Sequence, residues 1–281
     1  MAFKTGLNRL PPHLAAAHAR LAAIPLARRI AMGRLGAGRI QTMAPDLTAF
    51  VPLMEDQGQT SSCVGHGGSG ATAAAVSAAV ALGQSTRALS FVPSPRDLYA
   101  NCRILERMSS RQALTDSGAN IGDLITVVTR IGVRPMRGPT ADNRNSDVDE
   151  ANVNAEETLL ELEEDDSYVL LDVNAHPIAT GPTMFEEIAY ALSIGAPVLI
   201  GVPGGSSTFQ NYDGAAPLDA IAEPVDHCVF LHKADLAAGA DGLLEGTNSW
   251  GLIWGRMGRF QATRNFLSCT ADAYALSVRL P

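Results

Sequence analysis

The stretch Gly246-Thr247-Asn248-Ser249-Trp250-Gly251-Leu252-Ile253-Trp254-Gly255-Arg256-Met257-Gly258 decides the reading of this 281-residue chain. It joins a polar Asn-Ser pair to two tryptophans and several glycines. Working outward, the next informative string is Pro224-Val225-Asp226-His227-Cys228-Val229. Far upstream stands Gln57-Gly58-Gln59-Thr60-Ser61-Ser62-Cys63, which opens an Ala- and Gly-rich run ending at Leu82. That run is small-faced throughout, so it reads as a buried helix. Its glycines cost about 1 kcal/mol each against Ala, which close approach of another element would offset. Cys63 would sit at the helix N-terminus, where the macrodipole favours a thiolate and free N–H groups can bind an anion. Taken alone, such a cysteine is more often a buried structural thiol.

The order Cys63, His227, Asn248 with these flanks resembles the papain-like cysteine peptidases. The Asn-Ser-Trp-Gly-x-x-Trp-Gly-x-x-Gly string is its most specific part, and Gln57 six residues before Cys63 is the next. Ser117-Gly118-Ala119, thirteen residues before Gly132, resembles the family's substrate-binding loop and the helix that follows it. Phe209-Gln210-Asn211-Tyr212-Asp213-Gly214 resembles the strand and turn before the catalytic histidine, and the 18-residue spacing from Phe209 to His227 also fits. The match runs from about Gln57 to the C-terminus.

The resemblance implies a two-lobed α+β fold, with a helical left lobe, an antiparallel β right lobe and the active-site cleft between them. It implies a thiolate–imidazolium pair between Cys63 and His227, with Asn248 fixing the ring. Trp250 would cover that hydrogen bond. The Gln57 amide and the Cys63 N–H would form an oxyanion hole, where one donor is worth roughly 3–4 kcal/mol of barrier. His227 would protonate the leaving amine before water releases the acyl-enzyme. Gly118, Ala119, Gly201, Asp226 and Trp250 would line the substrate. Gly201 would form the wall facing the second residue before the scissile bond, leaving room there for a bulky apolar or aromatic side chain.

Some positions depart from the family. The signature Cys-Gly-Ser-Cys-Trp reads Thr60-Ser61-Ser62-Cys63-Val64 here, so the usual disulfide from that loop cannot form. Cys63 and His227 stand 164 residues apart, and an acidic insertion at 147–166, with ten acids and no base, accounts for the excess. The long helical propeptide of eukaryotic members is missing. These departures fit an intracellular bacterial or bacteriophage branch.

Helical spacing also predicts helices over 13–32, 94–108, 120–131 and 184–194, and an extended lead-in over 41–60 with a turn at 56–58. Short buried strands are expected around 197–200 and 228–231. His66 shares a helix face with Cys63 but lacks a downstream Asn motif, so it reads as packing. His227 and His232 fall on opposite strand faces, which argues against a metal site. His176, before Pro177, reads as surface. Cys102, Cys228 and Cys269 read as inert thiols.

Composition narrows the alternatives. Apolar residues make up 46% and charged residues 18%, which excludes wholesale disorder. No stretch approaches the roughly 20 apolar residues of a membrane span. The net charge of −8 argues against a nucleic-acid binder overall. Residues 1–45 nevertheless carry seven basic residues and no acid, against 14 basic and 29 acidic residues in the remainder. The chain therefore reads as a basic arm, 1–45, before a peptidase domain, 46–281, and the arm is expected to fold back and obstruct the cleft as an intramolecular inhibitor. Contact of the arm with nucleic acid is the lesser alternative. No cofactor or metal is expected, no secretory signal is recognised, and free thiols suggest a cytoplasmic setting. The expected partner is a peptide or protein substrate. A scaffold with a structural or binding role, or an amidase or acyl transferase using the same triad, remains the alternative.

Overall fold

The computed structural model describes residues 2–9, 12–28, 43–110, 115–138, 145–154, 168–238 and 241–278. Six strands form one antiparallel sheet in the order β1-β6-β2-β3-β4-β5. They are β1 (Val173–Ile178), β2 (Val198–Val202), β3 (His227–Asp235), β4 (Leu243–Thr247), β5 (Arg259–Thr263) and β6 (Ala271–Val278). Both faces of β2 and β3 are buried, which is why these segments read as continuous apolar runs in sequence. Successive side chains point to opposite faces. Thus Val198, Ile200, Val229 and Leu231 enter one apolar cluster, while Leu199, Cys228 and Phe230 enter a second.

The second cluster lies under the helices. Helix α2 (Cys63–Ala81) packs against α3 (Pro95–Ser110), α4 (Ile121–Thr126) and β3. The close approach expected at its glycines is present. A side chain at Gly70 would meet the Phe230 ring at 2.6 Å, and one at Gly67 would meet Cys228 Sγ at 3.2 Å. Small residues on α2 therefore let its N-terminal end lie directly on the start of β3, which brings Cys63 to the same place as His227 and Cys228.

The first cluster lies on the opposite face, covered by α5 (Met184–Ser193) and by the aromatic group Phe209, Trp250, Trp254 and Phe260. Phe209 belongs to the short helix α6 (Ser207–Gln210). Trp254 donates from Nε1 to the Phe209 carbonyl at 3.0 Å, a structural role.

Three local readings change. The helix over 120–131 leaves α geometry after Thr126 and ends as a π turn, Val127–Ile131, before Gly132 at φ 105°. His176 is not a surface residue. It lies in edge strand β1, half-buried, with Nε2 2.9 Å from Ser277 Oγ, and Pro177 is tolerated beside it because an edge strand leaves N–H positions unpaired. The helix read within 13–32 is α1 (Pro12–Ala22), and Ala22 and Leu26 are its buried contacts. Most of the acidic run lies outside the described residues; of its described part, 150–154 form turns.

Candidate active site

Gln57 enters the site from a loop pinned to the Asn-Ser-Trp segment, since its N–H donates to the Ser249 carbonyl at 2.9 Å and Asp56 bridges Trp250. The Ser249 hydroxyl donates to Gln57 Oε1 at 2.6 Å. That bond fixes which way the amide faces and leaves Nε2 as the donor turned to the cleft, 2.7 Å from the Thr60 carbonyl and 3.1 Å from the Lys4 carbonyl. Ser249 was not singled out from sequence, although it stands inside the most specific string.

His227 and Asn248 meet as expected. His227 Nε2 lies 2.7 Å from Asn248 Oδ1, and the Ser249 N–H donates to the same oxygen at 2.8 Å. An oxygen that accepts from Ser249 cannot donate to the ring, so Nε2 carries the proton and Nδ1 is the free base. Trp250 lies over the imidazole at 4.6 Å between ring centres, and Phe209 meets it edge-on at 6.0 Å.

Cys63 opens α2, fully buried, with the main chain of Cys228, Gly6 and Val64 close to its sulfur. The expected ion pair is not the state held here. Burial pushes the Cys63 thiol up to about 12, against the pull of those main-chain groups. Burial likewise lowers His227 to about 4, with the Asn248 bond and the Asp226 charge acting the other way. Both groups are neutral near pH 7, and His227 Nδ1 has no hydrogen-bond partner among the described residues. The physical reason is burial, and a segment of the chain itself lies over the site beside Cys63 and Trp250.

That segment is the start of the basic arm. Phe3 stacks on Trp250 with ring centres 4.4 Å apart and planes 4° from parallel, and Gln210 clamps its backbone through Phe3 N and Phe3 O. The Lys4 ammonium meets Asp116 Oδ2 at 2.5 Å. Thr5 Oγ1 donates to Asp226 Oδ2 at 3.2 Å. The N–H groups of Gly6 and Leu7 both point to the Asp226 carbonyl, at 3.1 and 2.8 Å. Ala119 N donates to Gly6 O and Asn8 N to Ala119 O, so the arm bridges Ala119 in parallel. Leu7 reaches Gly201, where a side chain would come within 2.7 Å of Leu7 Cδ2.

The nine positions expected from sequence therefore come together around one extended strand of chain. Gln57, Gly118, Ala119, Gly201, Asp226 and Trp250 each abut residues 3–8, Gly118 through the Gly6 carbonyl. Among the described residues of the arm, Lys4–Asp116 is an ion pair, and the other contacts of residues 3–8 include main-chain and side-chain hydrogen bonds, stacking and apolar contact; Arg29, Arg34 and Arg39 lie outside the described residues.

His66 is buried, with Nδ1 near Ser62 and Nε2 2.9 Å from Ser146 Oγ. All four cysteines are free thiols. In place of a loop disulfide, Asp116 accepts the Ser61 N–H at 2.9 Å, and the Thr60 hydroxyl donates to the Gln57 carbonyl at 2.8 Å. Among the described residues no group of His, Cys, Asp or Glu has metal-site geometry, and no helix is long and apolar enough to cross a membrane.

Comparison with solved structures gives the fold a name. Xylellain, a cysteine protease from Xylella fastidiosa, superposes with a TM-score of 0.61 at 19% identity, over 99% of this chain and 98% of that one. A structure from work on the mite allergens Blo t 1 and Der p 1 also gives 0.61, at 18% identity over 94% and 77%. Digestive procathepsin L2 from Tenebrio molitor larval midgut gives 0.58 at 19% identity, over 100% and 85%. The fold is papain-like. No protein-family model matches the chain, and no curated protein matches it.

Proposed function

We propose that this papain-like chain is a cysteine peptidase, built as a peptidase domain over 46–281 preceded by a self-inhibiting arm over 1–45. The observation that carries the reading is the extended segment 3–8 lying across Cys63, with a peptide carbonyl on the Gln57 amide. A groove that binds extended backbone next to a thiol and an Asn-oriented histidine is suited to peptide bonds. It favours a peptidase over a bare scaffold. An amidase or acyl transferase would share every step to the acyl-enzyme. The missing loop disulfide fits the bacterial or bacteriophage branch, and four free thiols fit a reducing, cytoplasmic setting.

Direction explains why the arm would inhibit and not be cut. In the proposed mechanism the acyl side of the substrate lies at Gly201, and the leaving amine lies beside His227 and Trp250. The arm puts Leu7 at Gly201 and Phe3 on Trp250, so it runs the opposite way. It offers Cys63 the main chain of Gly6 while the nearest oxyanion-hole carbonyl is that of Lys4. No bond is presented with its carbonyl at sulfur and its nitrogen at His227. Burial of the arm in the cleft also disfavours the alternative in which its first residues contact nucleic acid.

With substrate in place of the arm, His227 Nδ1 takes the Cys63 proton, and the thiolate adds to the carbonyl. The oxyanion is held by Gln57 Nε2 and the Cys63 N–H. The imidazolium then protonates the amine, and water, deprotonated by the same Nδ1, hydrolyses the thioester. Hydrolysis of a fluorogenic dipeptide amide with Leu at the second position tests this. A bell-shaped pH profile belonging to the coupled pair and complete loss of turnover in Cys63→Ala are expected. Turnover retained by folded Cys63→Ala would remove Cys63 from the role of nucleophile.

A further inference from the structure

Glu55 stands two residues before Gln57 and is only 5% exposed. Its Oε1 lies 2.7 Å from the hydroxyl of Ser69, a fully buried residue of α2, and that hydroxyl lies 2.7 Å from the Pro93 carbonyl. Three segments distant in sequence therefore meet at one serine oxygen. A hydroxyl has a single proton. The Pro93 carbonyl can only accept, so the Ser69 proton goes to it. The contact with Glu55 then needs a proton from the carboxyl. An ionised carboxylate would leave two oxygens 2.7 Å apart with no hydrogen between them at a buried site.

The surroundings agree. Burial pushes Glu55 well above the ordinary carboxylate range, the negative charge of Asp147 adds to this, and the Ser69 bond acts the other way. His66 lines the same cavity as Glu55, together with Gly67, Thr247, Asn248 and Ser249, and its ring nitrogens lie against Ser62 and Ser146. The main chain at Glu55 continues into the site. The Glu55 carbonyl accepts from Gly251 N at 3.3 Å, Asp56 bridges Trp250, and Gln57 N donates to the Ser249 carbonyl at 2.9 Å. Residues 55–57 and 249–251 thus run antiparallel as one unit. That unit holds the Gln57 amide and, through Asn248 and Ser249, the His227 ring. Cys63 belongs to another element, six residues before Ser69 in α2.

We propose that Glu55 is a positioning residue that works as a neutral carboxylic acid, donating to Ser69 and so tying the unit that carries Gln57 and Asn248 to the helix that carries Cys63. The inference rests on the peptidase reading and adds a residue to it. In that reading the oxyanion donors come from both sides of the tie, Gln57 Nε2 from the loop and the Cys63 N–H from the helix. Their spacing therefore depends on the Glu55–Ser69 contact. A displacement of about 1 Å between such groups costs on the order of 100-fold in rate. An apolar side chain at position 55 would leave Ser69 with Pro93 alone and remove the tie. A glutamine amide keeps the shape and an N–H for Ser69, and has no proton to lose.

The test uses the full chain, its Glu55→Gln and Glu55→Ala variants, and the fluorogenic dipeptide amide with Leu at the second position. At pH 6, Glu55→Gln should keep kcat within about twofold of wild type, and Glu55→Ala should lower it about tenfold or more with KM little changed. A wild-type kcat in Glu55→Ala, or an equal loss in both variants, overturns the positioning role and leaves the peptidase reading in place. Urea unfolding tests the proton separately and needs no substrate. Unfolded Glu55 ionises near its ordinary 4.5 while the folded chain keeps the proton, so the stability it contributes is complete below about 4.5 and falls as pH rises. From pH 5 to pH 7 the wild-type unfolding constant should grow relative to that of Glu55→Gln by up to about tenfold per pH unit. A constant ratio means an ionised carboxyl in the fold and overturns the proposal, even where Glu55→Ala does not fold. No hydrolysis by wild type, with Cys63 unreactive to an active-site epoxide, removes the peptidase reading and the positioning role with it.

Discussion

Gln57 has a side chain that is useful only in one of two orientations. With Oε1 toward the cleft it would repel an oxyanion; with Nε2 there it stabilises one. The Ser249 hydroxyl chooses between them at 2.6 Å, and the Ser249 N–H also fixes the oxygen of Asn248 that orients His227. One serine thus sets two candidate catalytic groups, one through its side chain and one through its backbone. Ser249→Ala keeps the backbone bond and loses the hydroxyl. It should lower kcat by about tenfold, with KM little changed, because an oxyanion donor acts in the transition state. An unchanged kcat would mean that the Gln57 amide is held by its bond to Thr60 alone.

Candidate catalytic residues could be named at this scale because Cys63, His227, Asn248 and Gln57 carry a recognisable chemistry in their residue types and flanks. Ser249 and Asp116 could not, because a serine and an aspartate are common and acquire a role only through what the fold sets beside them. The loss of a cysteine at Thr60 did announce that the loop needed another tie, but not that Asp116 supplies it.

Among the elements, the arm repays most thought. Its register depends on Gly6. A side chain there would collide with the Ser61 carbonyl, and the Gly6 carbonyl in turn occupies the space a side chain on Gly118 would need. Gly6→Ala should therefore expel residues 3–8 and raise full-chain hydrolysis of a Leu-Arg amide at pH 7 by about tenfold or more. The ratio of variant to wild type also has a predictable pH dependence. In the docked state burial holds His227 at about 4, below its ordinary 6.5. Below about 6.5 the undocked state binds a proton that the docked state does not, so docking weakens as pH falls. The ratio should shrink between pH 7 and pH 5. A ratio that grew on acidification would contradict the assignment of burial by the arm as the cause. Sequence made the arm visible through its charge, and the contacts of residues 3–8 add main-chain pairing that charge does not announce. Main-chain pairing depends on conformation and not on residue type, so neither the direction nor the register of residues 3–8 was readable beforehand. The π turn at Val127–Ile131 escaped for a related reason, since its apolar spacing is that of an α-helix.

Across the whole molecule, the order of helices before strands was legible as an α+β fold because α2 is uniformly small and β2 and β3 uniformly apolar. Strand β1 was not, because Val173-Asn174-Ala175-His176-Pro177-Ile178 lacks alternation and contains a proline. Burial of ionisable groups also makes stability depend on pH. His232 is fully buried in β3, and burial, with the nearby charge of Arg259, lowers it to about 3. A folded value below the unfolded 6.5 means that stability is complete above about 6.5 and is lost as pH falls toward 3. Relative to His232→Gln, the wild-type chain should lose up to about 1.4 kcal/mol per pH unit over that window. Parallel urea-unfolding curves at pH 7, 6 and 5 measure the difference, and a constant gap between the two chains would exclude a buried neutral His232.

On the proposed function, Cys63 is a nucleophile held silent by the chain's own first residues. Intact mass and peptide mapping after brief exposure to the epoxide E-64 test it most directly, comparing wild type with Gly6→Ala. A single adduct on Cys63 is expected, formed slowly in wild type and much faster in Gly6→Ala, with Cys102, Cys228 and Cys269 unmodified. Equal rates in the two chains, or an adduct on any other thiol in preference to Cys63, would contradict it.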